Sequence, residues 1–249
     1  MILPYIIIFL YGIVIGSFLN VCIYRIPLGE SIAKERSHCM SCGYQLQWYD
    51  LIPLFSWLVL RGKCRKCRAS ISPQYPIIEA ANGGLYILIF AVNGMNLTSV
   101  LYCLMASALL ALSVIDFRTY EIPFGFNVFL GALGLIRLAT DLSNWQDYVI
   151  GFFAVSALLE LLLILSKGRA IGGGDVKLMA SCGLLLGWKL IIPAFFIGCI
   201  LGSVIHIIRM KVSNAENVLA MGPYLSAGIL ISALWGNAFI NWYIGILAF

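Results

Sequence analysis

The chain has 249 residues, of which 61% are hydrophobic and only 11% charged. Soluble domains carry about 25% charged residues, so the composition excludes a soluble globular protein and predicts a polytopic membrane protein. The formal net charge of +5 does not point to nucleic acid, because the basic residues follow a membrane topology instead.

Apolar runs of roughly 17–25 residues can cross a bilayer. Such runs lie near 2–23, 76–93, 97–115, 122–139, 147–166, 176–188, 190–208 and 221–247. The first is too long for a signal-peptide core and has neither a basic start nor a cleavage site, so it reads as a retained helix. The 176–188 run is short; it starts below the membrane surface or is screened by its neighbours. The last run is one span with an apolar tail, or is broken near Trp235-Gly236-Asn237. Basic residues favour the cytoplasmic side. Eight spans with the N-terminus outside place Arg25, Lys34, Arg36, Arg61, Lys63, Arg65, Lys66 and Arg68 in a cytoplasmic loop, residues 24–75. Arg118, Lys167, Arg169, Lys177, Arg209 and Lys211 fall on the same side, leaving only Arg137 and Lys189 of the 16 Lys and Arg outside.

The first span ends in Gly16-Ser17-Phe18-Leu19-Asn20-Val21. Small residues let helices approach closely, and Asn20 can hydrogen-bond between them, which makes packing the ordinary reading. The loop that follows is the only sizeable polar region. It holds Cys39-Met40-Ser41-Cys42 and Cys64-Arg65-Lys66-Cys67, with 21 residues between the pairs. Two CxxC pairs at this spacing predict a structural zinc site with ligands Cys39, Cys42, Cys64 and Cys67. A disulfide framework is the alternative, and a cytoplasmic loop disfavours it because thiols stay reduced there. His38 adjoins the first pair, but four thiolates already close the tetrahedron. Cys22, Cys103, Cys182 and Cys199 lie in apolar runs and read as small buried hydrophobes. Between the pairs, the aromatic stretch from Trp48 to Trp57 predicts a small core or a surface that docks on the membrane. A loop of this size needs a staple to fold.

Glu79 follows Tyr75-Pro76-Ile77-Ile78 at the start of the second span. It either complements the helix N-terminus or faces a cavity. The third span ends in Ile115-Asp116-Phe117-Arg118-Thr119-Tyr120-Glu121-Ile122-Pro123. A carboxylate at a helix C-terminus opposes the dipole, so Asp116 calls for an explanation. Arg118 is positioned to neutralise part of its charge, Glu121 reads as a solvated loop charge, and Pro123 suits the first turn of the next helix. Farther on, Gly168-Arg169-Ala170-Ile171-Gly172-Gly173-Gly174-Asp175-Val176-Lys177-Leu178 lies between two apolar runs. Three consecutive glycines open the backbone to close approach, and they present one carboxylate. Asp175 is either a helix cap or, as an acid at membrane depth, a functional group. Met221-Gly222-Pro223-Tyr224 enters the last run, where Gly-Pro can break a helix beside a cavity. No internal repeat, P-loop or Rossmann glycine pattern is present, and His38 and His206 are too far apart in context to suggest a Ser-His-Asp arrangement.

Two carboxylates in a poorly solvated site do not both ionise easily. One then acts as general base on water while the protonated partner donates to the carbonyl oxygen, which hydrolyses a peptide without a metal or a nucleophilic side chain. Asp175 starts a helix and is the better base on that ground. In order along the chain, Gly16–Val21, the CxxC pairs around Trp48-Tyr49-Asp50, Tyr75-Pro76-Ile77-Ile78-Glu79, Asp116 with Ile122-Pro123, Gly172-Gly173-Gly174-Asp175-Val176-Lys177-Leu178 and Gly222-Pro223-Tyr224 resemble the bacterial type IV prepilin peptidases. These are bifunctional leader peptidases and N-methyltransferases of the GxGD class of intramembrane aspartic proteases. The resemblance covers nearly the whole chain. It implies that Asp116 and Asp175 are the catalytic pair, that S-adenosylmethionine is the methyl donor, and that the partners are prepilin and pseudopilin substrates and the lipid bilayer, with no nucleic acid. It also implies a bacterial inner-membrane location. Met40 stands where the family often has proline, and Phe124 where it often has an acid after Ile-Pro; neither touches the aspartate pair.

The expected fold is therefore an all-α polytopic membrane protein of about eight transmembrane helices, with a small zinc-stapled cytoplasmic domain between spans one and two. Its parts are a first helix at 1–23, a zinc-binding loop domain at 24–75 and a protease core at 76–249. The methyl-donor site is not assigned by the sequence, and Glu79 is its one candidate residue. Two other readings use the same features: a proton- or cation-coupled transporter working through Asp116 and Asp175, and a zinc-scaffolded assembly protein without chemistry. A transporter would more often show repeated halves with broken helices.

Overall fold

The structure is a computed structural model and describes residues 2–34, 36–169, 171–213 and 219–247. Ala170, inside the glycine-rich stretch, and residues 248–249 fall outside the described set. The helices are α1 (Leu3–Arg25), α2 (Phe55–Val59), α3 (Gln74–Asn93), α4 (Leu97–Thr119), α5 (Phe124–Thr140), α6 (Trp145–Ala154), α7 (Ser156–Leu165), α8 (Gly173–Leu186), α9 (Trp188–Ser213) and α10 (Gly222–Leu247). Among the described residues there is no strand, only two isolated bridges. Each of the eight apolar runs is helical. Six helical segments are long and apolar enough to cross a membrane: Leu3–Leu28, Gln74–Asn93, Leu97–Thr119, Leu142–Leu165, Trp188–Val212 and Gly222–Ile246. The protein is thus an all-α polytopic membrane protein. The helices α5 and α8 are shorter, with 17 and 14 residues.

Four local readings change. The last run is not broken at Trp235-Gly236-Asn237, since α10 is continuous from Gly222 to Leu247. Gly222-Pro223 does not interrupt a helix either; it begins one, where the missing proline N–H costs no bond. Conversely, the run near 147–166 is divided at Val155 between α6 and α7. There the Ser156 hydroxyl donates back to the Phe152 carbonyl, a local bond that competes with the helix ladder and bends it. Pro123 caps α5 from just outside, so the helix begins at Phe124.

The chain divides into two compact units, one up to Ser99 and one from Val100. In the first, α1 and α3 cross at backbone contact. A Cβ on Gly12 would lie 2.7 Å from the Gly83 Cα, and one on Gly16 would lie 2.7 Å from the Glu79 Cα. Close approach of this kind uses small residues because lipid supplies no hydrophobic drive between helices. Two asparagines lock the crossing. Asn82 Nδ2 donates to the Gly12 carbonyl at 2.8 Å. Asn20 Nδ2 donates to the Tyr75 carbonyl at 3.1 Å, and Asn20 Oδ1 accepts from Gln74 Nε2 at 3.4 Å.

In the second unit α8 is packed by α5, α6, α7 and α9. Gly151 of α6 and Gly183 of α8 face each other with no room for a side chain on either. On α4 the fully buried Met105, Leu109 and Leu112 form one helical stripe. Their spacing of four and three residues continues to Asp116, which therefore points inward.

Candidate active site and metal centre

Asp116 sits in the last turn of α4 and is 4% exposed. Its carboxylate Oδ2 accepts the backbone N–H of Gly222 at 2.9 Å. Gly222 is the first residue of α10, so the positive end of that helix offsets the unfavourable end of α4. A hydrogen bond to a charged acceptor contributes about 1.5–3 kcal/mol. The sequence pointed to Arg118 as the group that would ease this carboxylate; in the structure a backbone amide does so directly. Glu121 is exposed, as a solvated loop charge should be.

Asp175 is the third residue of α8, preceded by Gly172 at the N-cap. Its carboxylate accepts the Gly172 backbone N–H, the return half of a capping box. Asp175 caps its helix, and its carboxylate also lies close enough to Asp116 for the two charges to repel. The glycines make this possible. A Cβ on Gly174 would press to 3.0 Å from the Ile122 Cβ, and one on Gly172 to 3.2 Å from Asp175 Oδ2. Ile122 thus packs directly on the glycine turn. Asp116 is buried while Asp175 is half-buried.

Gly222 was the residue the sequence did not single out for chemistry. A Cβ there would lie 2.7 Å from Asp116 Oδ2 and 3.0 Å from Cγ. The expected result for Gly222→Ala is displacement of the Asp116 carboxylate and at least about a tenfold loss of any activity that depends on it, equivalent to about 1.4 kcal/mol in the barrier. The check is the rate of peptide cleavage in membranes at matched expression; an unchanged rate would show that the Gly222 contact does not position the acid.

The cysteine loop builds a second centre from two like turns. Cys39 N–H donates to the Tyr44 carbonyl at 2.8 Å, and Cys64 N–H to the Ala69 carbonyl at 2.8 Å. His38 bridges to Gln45 and Lys63 to Ser70. An internal repeat that the sequence reading did not find is therefore present in the backbone; outside the cysteines its side chains differ. The four sulfurs of Cys39, Cys42, Cys64 and Cys67 lie within 4.8 Å of one another. Cys39 and Cys67 are 3.8 Å apart, which matches the edge of about 3.8 Å in a tetrahedron with zinc–sulfur bonds of about 2.3 Å. Amide groups of Ser41 and Cys42 are aimed at the Cys39 sulfur, which favours the thiolate that binds metal. The residues fit a thiophilic metal.

Asp50 fastens the rest of the loop. Its Oδ1 accepts Arg65 Nε at 2.8 Å, and Oδ2 accepts the Gln47 N–H at 3.2 Å and the Tyr44 hydroxyl at 3.4 Å. Of the aromatic stretch, Trp57 is half-buried over Gly62, with its Nε1 donating to the Ile71 carbonyl. Trp48, Phe55, Leu58 and Val59 remain exposed.

Glu79 is the sixth residue of α3 and lies outside its first turn, so capping does not explain it. It is buried, and its Oε2 accepts the Leu54 N–H at 2.7 Å, tying the loop to the helix.

Two family models match the chain. Residues 10–93 match the family described as the bacterial peptidase A24 N-terminal domain, and residues 103–207 match the type IV leader peptidase family. The chain is 31% identical to a prepilin leader peptidase/N-methyltransferase of Stutzerimonas stutzeri, over 91% of this chain and 89% of that protein. It is also 31% identical to the protein of that name in Bacillus subtilis, over 96% of this chain and 97% of the relative. No solved structure matches. The chain belongs to the type IV leader peptidase family.

Proposed function

We propose that the protein is a bacterial inner-membrane leader peptidase that cleaves the basic leader from prepilin and pseudopilin substrates and then methylates the new N-terminus. The observation that supports the peptidase reading is that Asp116 and Asp175 lie near enough for their charges to act on each other, each with its carboxylate on a backbone amide at the start of a helix. In this reading Asp175, the more exposed of the two, takes a proton from water. Asp116 donates a proton to the scissile carbonyl and later assists departure of the amine. The pair titrates and works as a unit. Gly172, Gly173 and Gly174 leave room for an extended substrate backbone and for water. The leader stays cytoplasmic while the apolar segment lies among the spans. Incubation with a leader-bearing pilin tests the reading: cleavage separates it from a cation transporter and from a scaffold protein, neither of which cuts.

The four cysteines would hold one structural zinc, which closes the loop and takes no part in the cut. The methyl donor would be S-adenosylmethionine, acting near the loop and Glu79.

In the proposed topology there are eight spans, with the N-terminus outside and the cysteine loop, Asp116 and Asp175 on the cytoplasmic side, as the distribution of basic residues supports. Ser31 and Ser143 are both exposed and fall on opposite sides of the membrane in this topology. A membrane-impermeant thiol reagent added to sealed intact cells is expected to label Ser143→Cys and not Ser31→Cys; the reverse pattern would invert the topology.

A further inference from the structure

The first unit contains a cavity of about 430 Å³ bounded by α1, α3 and the cysteine loop, a volume in the range of small-molecule sites. Ser17, Asn20 and Tyr24 contribute from α1, Tyr75 and Glu79 from α3, and Trp57 from α2. Five charged groups line it. Asp50 is paired with Arg65 at 2.8 Å. Arg25 donates to the Ser31 carbonyl at 3.1 Å. Glu30 is exposed to solvent. Glu79, only 6% exposed, receives the Leu54 N–H and a hydrogen bond from the Ser17 side chain, and no ion pair with it occurs among the described residues. A carboxylate removed from water without a cation is costly. A cavity with a buried carboxylate that has no ion pair among the described residues, and with aromatic walls, favours a small organic cation at that carboxylate.

We propose that this cavity binds the methyl donor and that Glu79 is the counter-charge to its sulfonium centre. The proposal rests on the methyl-transfer reading above and deepens it. In the transfer, the substrate's neutral amine nitrogen forms a bond to the methyl carbon as the carbon–sulfur bond breaks. The electron pair of that bond passes to sulfur, the donor leaves as a neutral thioether, and the methylated nitrogen sheds its proton to water. Glu79 therefore faces a cation before the transfer and a neutral sulfur after it. It holds the donor and releases the product.

The consequence is measurable as charge selectivity. Titration calorimetry of the full-length protein should show S-adenosylmethionine binding at least about tenfold more tightly than S-adenosylhomocysteine, a difference of about 1.4 kcal/mol. Glu79→Gln keeps an oxygen for the Leu54 N–H but loses the charge. It should bring the two ligands to near parity by weakening the sulfonium alone, with metal content unchanged as the check on the loop. If the wild type binds the thioether as tightly as the sulfonium, or the Gln variant keeps the wild-type preference, the proposal is overturned and the methyl-transfer reading stands. If the wild type binds neither, both are overturned. Should the Gln variant lose its metal and its fold, the wild-type comparison decides by itself.

Discussion

Asp116→Asn and Asp175→Asn are each expected to reduce leader cleavage by about three orders of magnitude or more, because groups that act as one unit fail together. Both changes are nearly isosteric. An asparagine in place of Asp116 would still present an oxygen to the Gly222 N–H, which lies 2.9 Å from the native carboxylate. One in place of Asp175 could still accept the Gly172 N–H. What each variant loses is the ability to cycle a proton. The loss should therefore appear in the rate and not in expression, membrane insertion or metal content. Methylation of a substrate supplied already cleaved should persist, since Glu79 and its cavity belong to the other unit. The assay is cleavage of a prepilin in membranes at matched protein levels. Near-normal cleavage by one variant would remove that aspartate from the mechanism, and near-normal cleavage by both would end the aspartic-protease reading.

The second large effect is expected at the metal centre. Cys64 is 2% exposed, and Cys64→Ser should remove the metal and with it the fold of the loop. In small stapled domains the metal-binding free energy is folding free energy, on the order of 10–16 kcal/mol for structural zinc. Without that contribution the Asp50–Arg65 pair and the Trp57 packing are too few to hold the loop. The expected readouts are one metal ion per wild-type chain and none bound by the variant, together with rapid proteolysis of the loop while α1 and α3 stay in the membrane. Wild-type protein with four freely titrating thiols and no stoichiometric metal would count against the site.

Much of this was legible because membrane and metal constraints act locally. Backbone amides in lipid must bond within their own helix, so each apolar run announces a helix whatever its neighbours do. Cysteine pairs announce a turn in the same way, and both turns are found around Cys39 and Cys64. Asp116 and Asp175 stood out because each is an acid beside apolar sequence. What stayed hidden is what depends on the backbone of a distant residue. The N–H that serves Asp116 belongs to Gly222, and the N–H that serves Glu79 belongs to Leu54. Neither donor has a side chain that advertises the role. The paired knuckles were hidden for the same reason, as their likeness lies in backbone hydrogen bonds. Leu54 also adopts a left-handed φ of 60°, which no pattern of side chains predicts for leucine.

The short helix α8 carries a consequence of its own. Its 14 residues cover about 21 Å at about 1.5 Å per residue, less than the roughly 30 Å of hydrocarbon in a bilayer. Lipid alone is a poor host for it. Its place is held by the helices around it, through contacts as close as Gly151 on Gly183. Asp175 rides on the first turn of this helix, so the anchoring that keeps the acid opposite Asp116 is tertiary packing and not partition into the membrane. Loosening that packing and separating Asp175 from Asp116 are one event. The range over which the two acids stay together is then bounded by the cohesion of the helix bundle, and a bilayer that is thicker or stiffer acts on their arrangement through that cohesion.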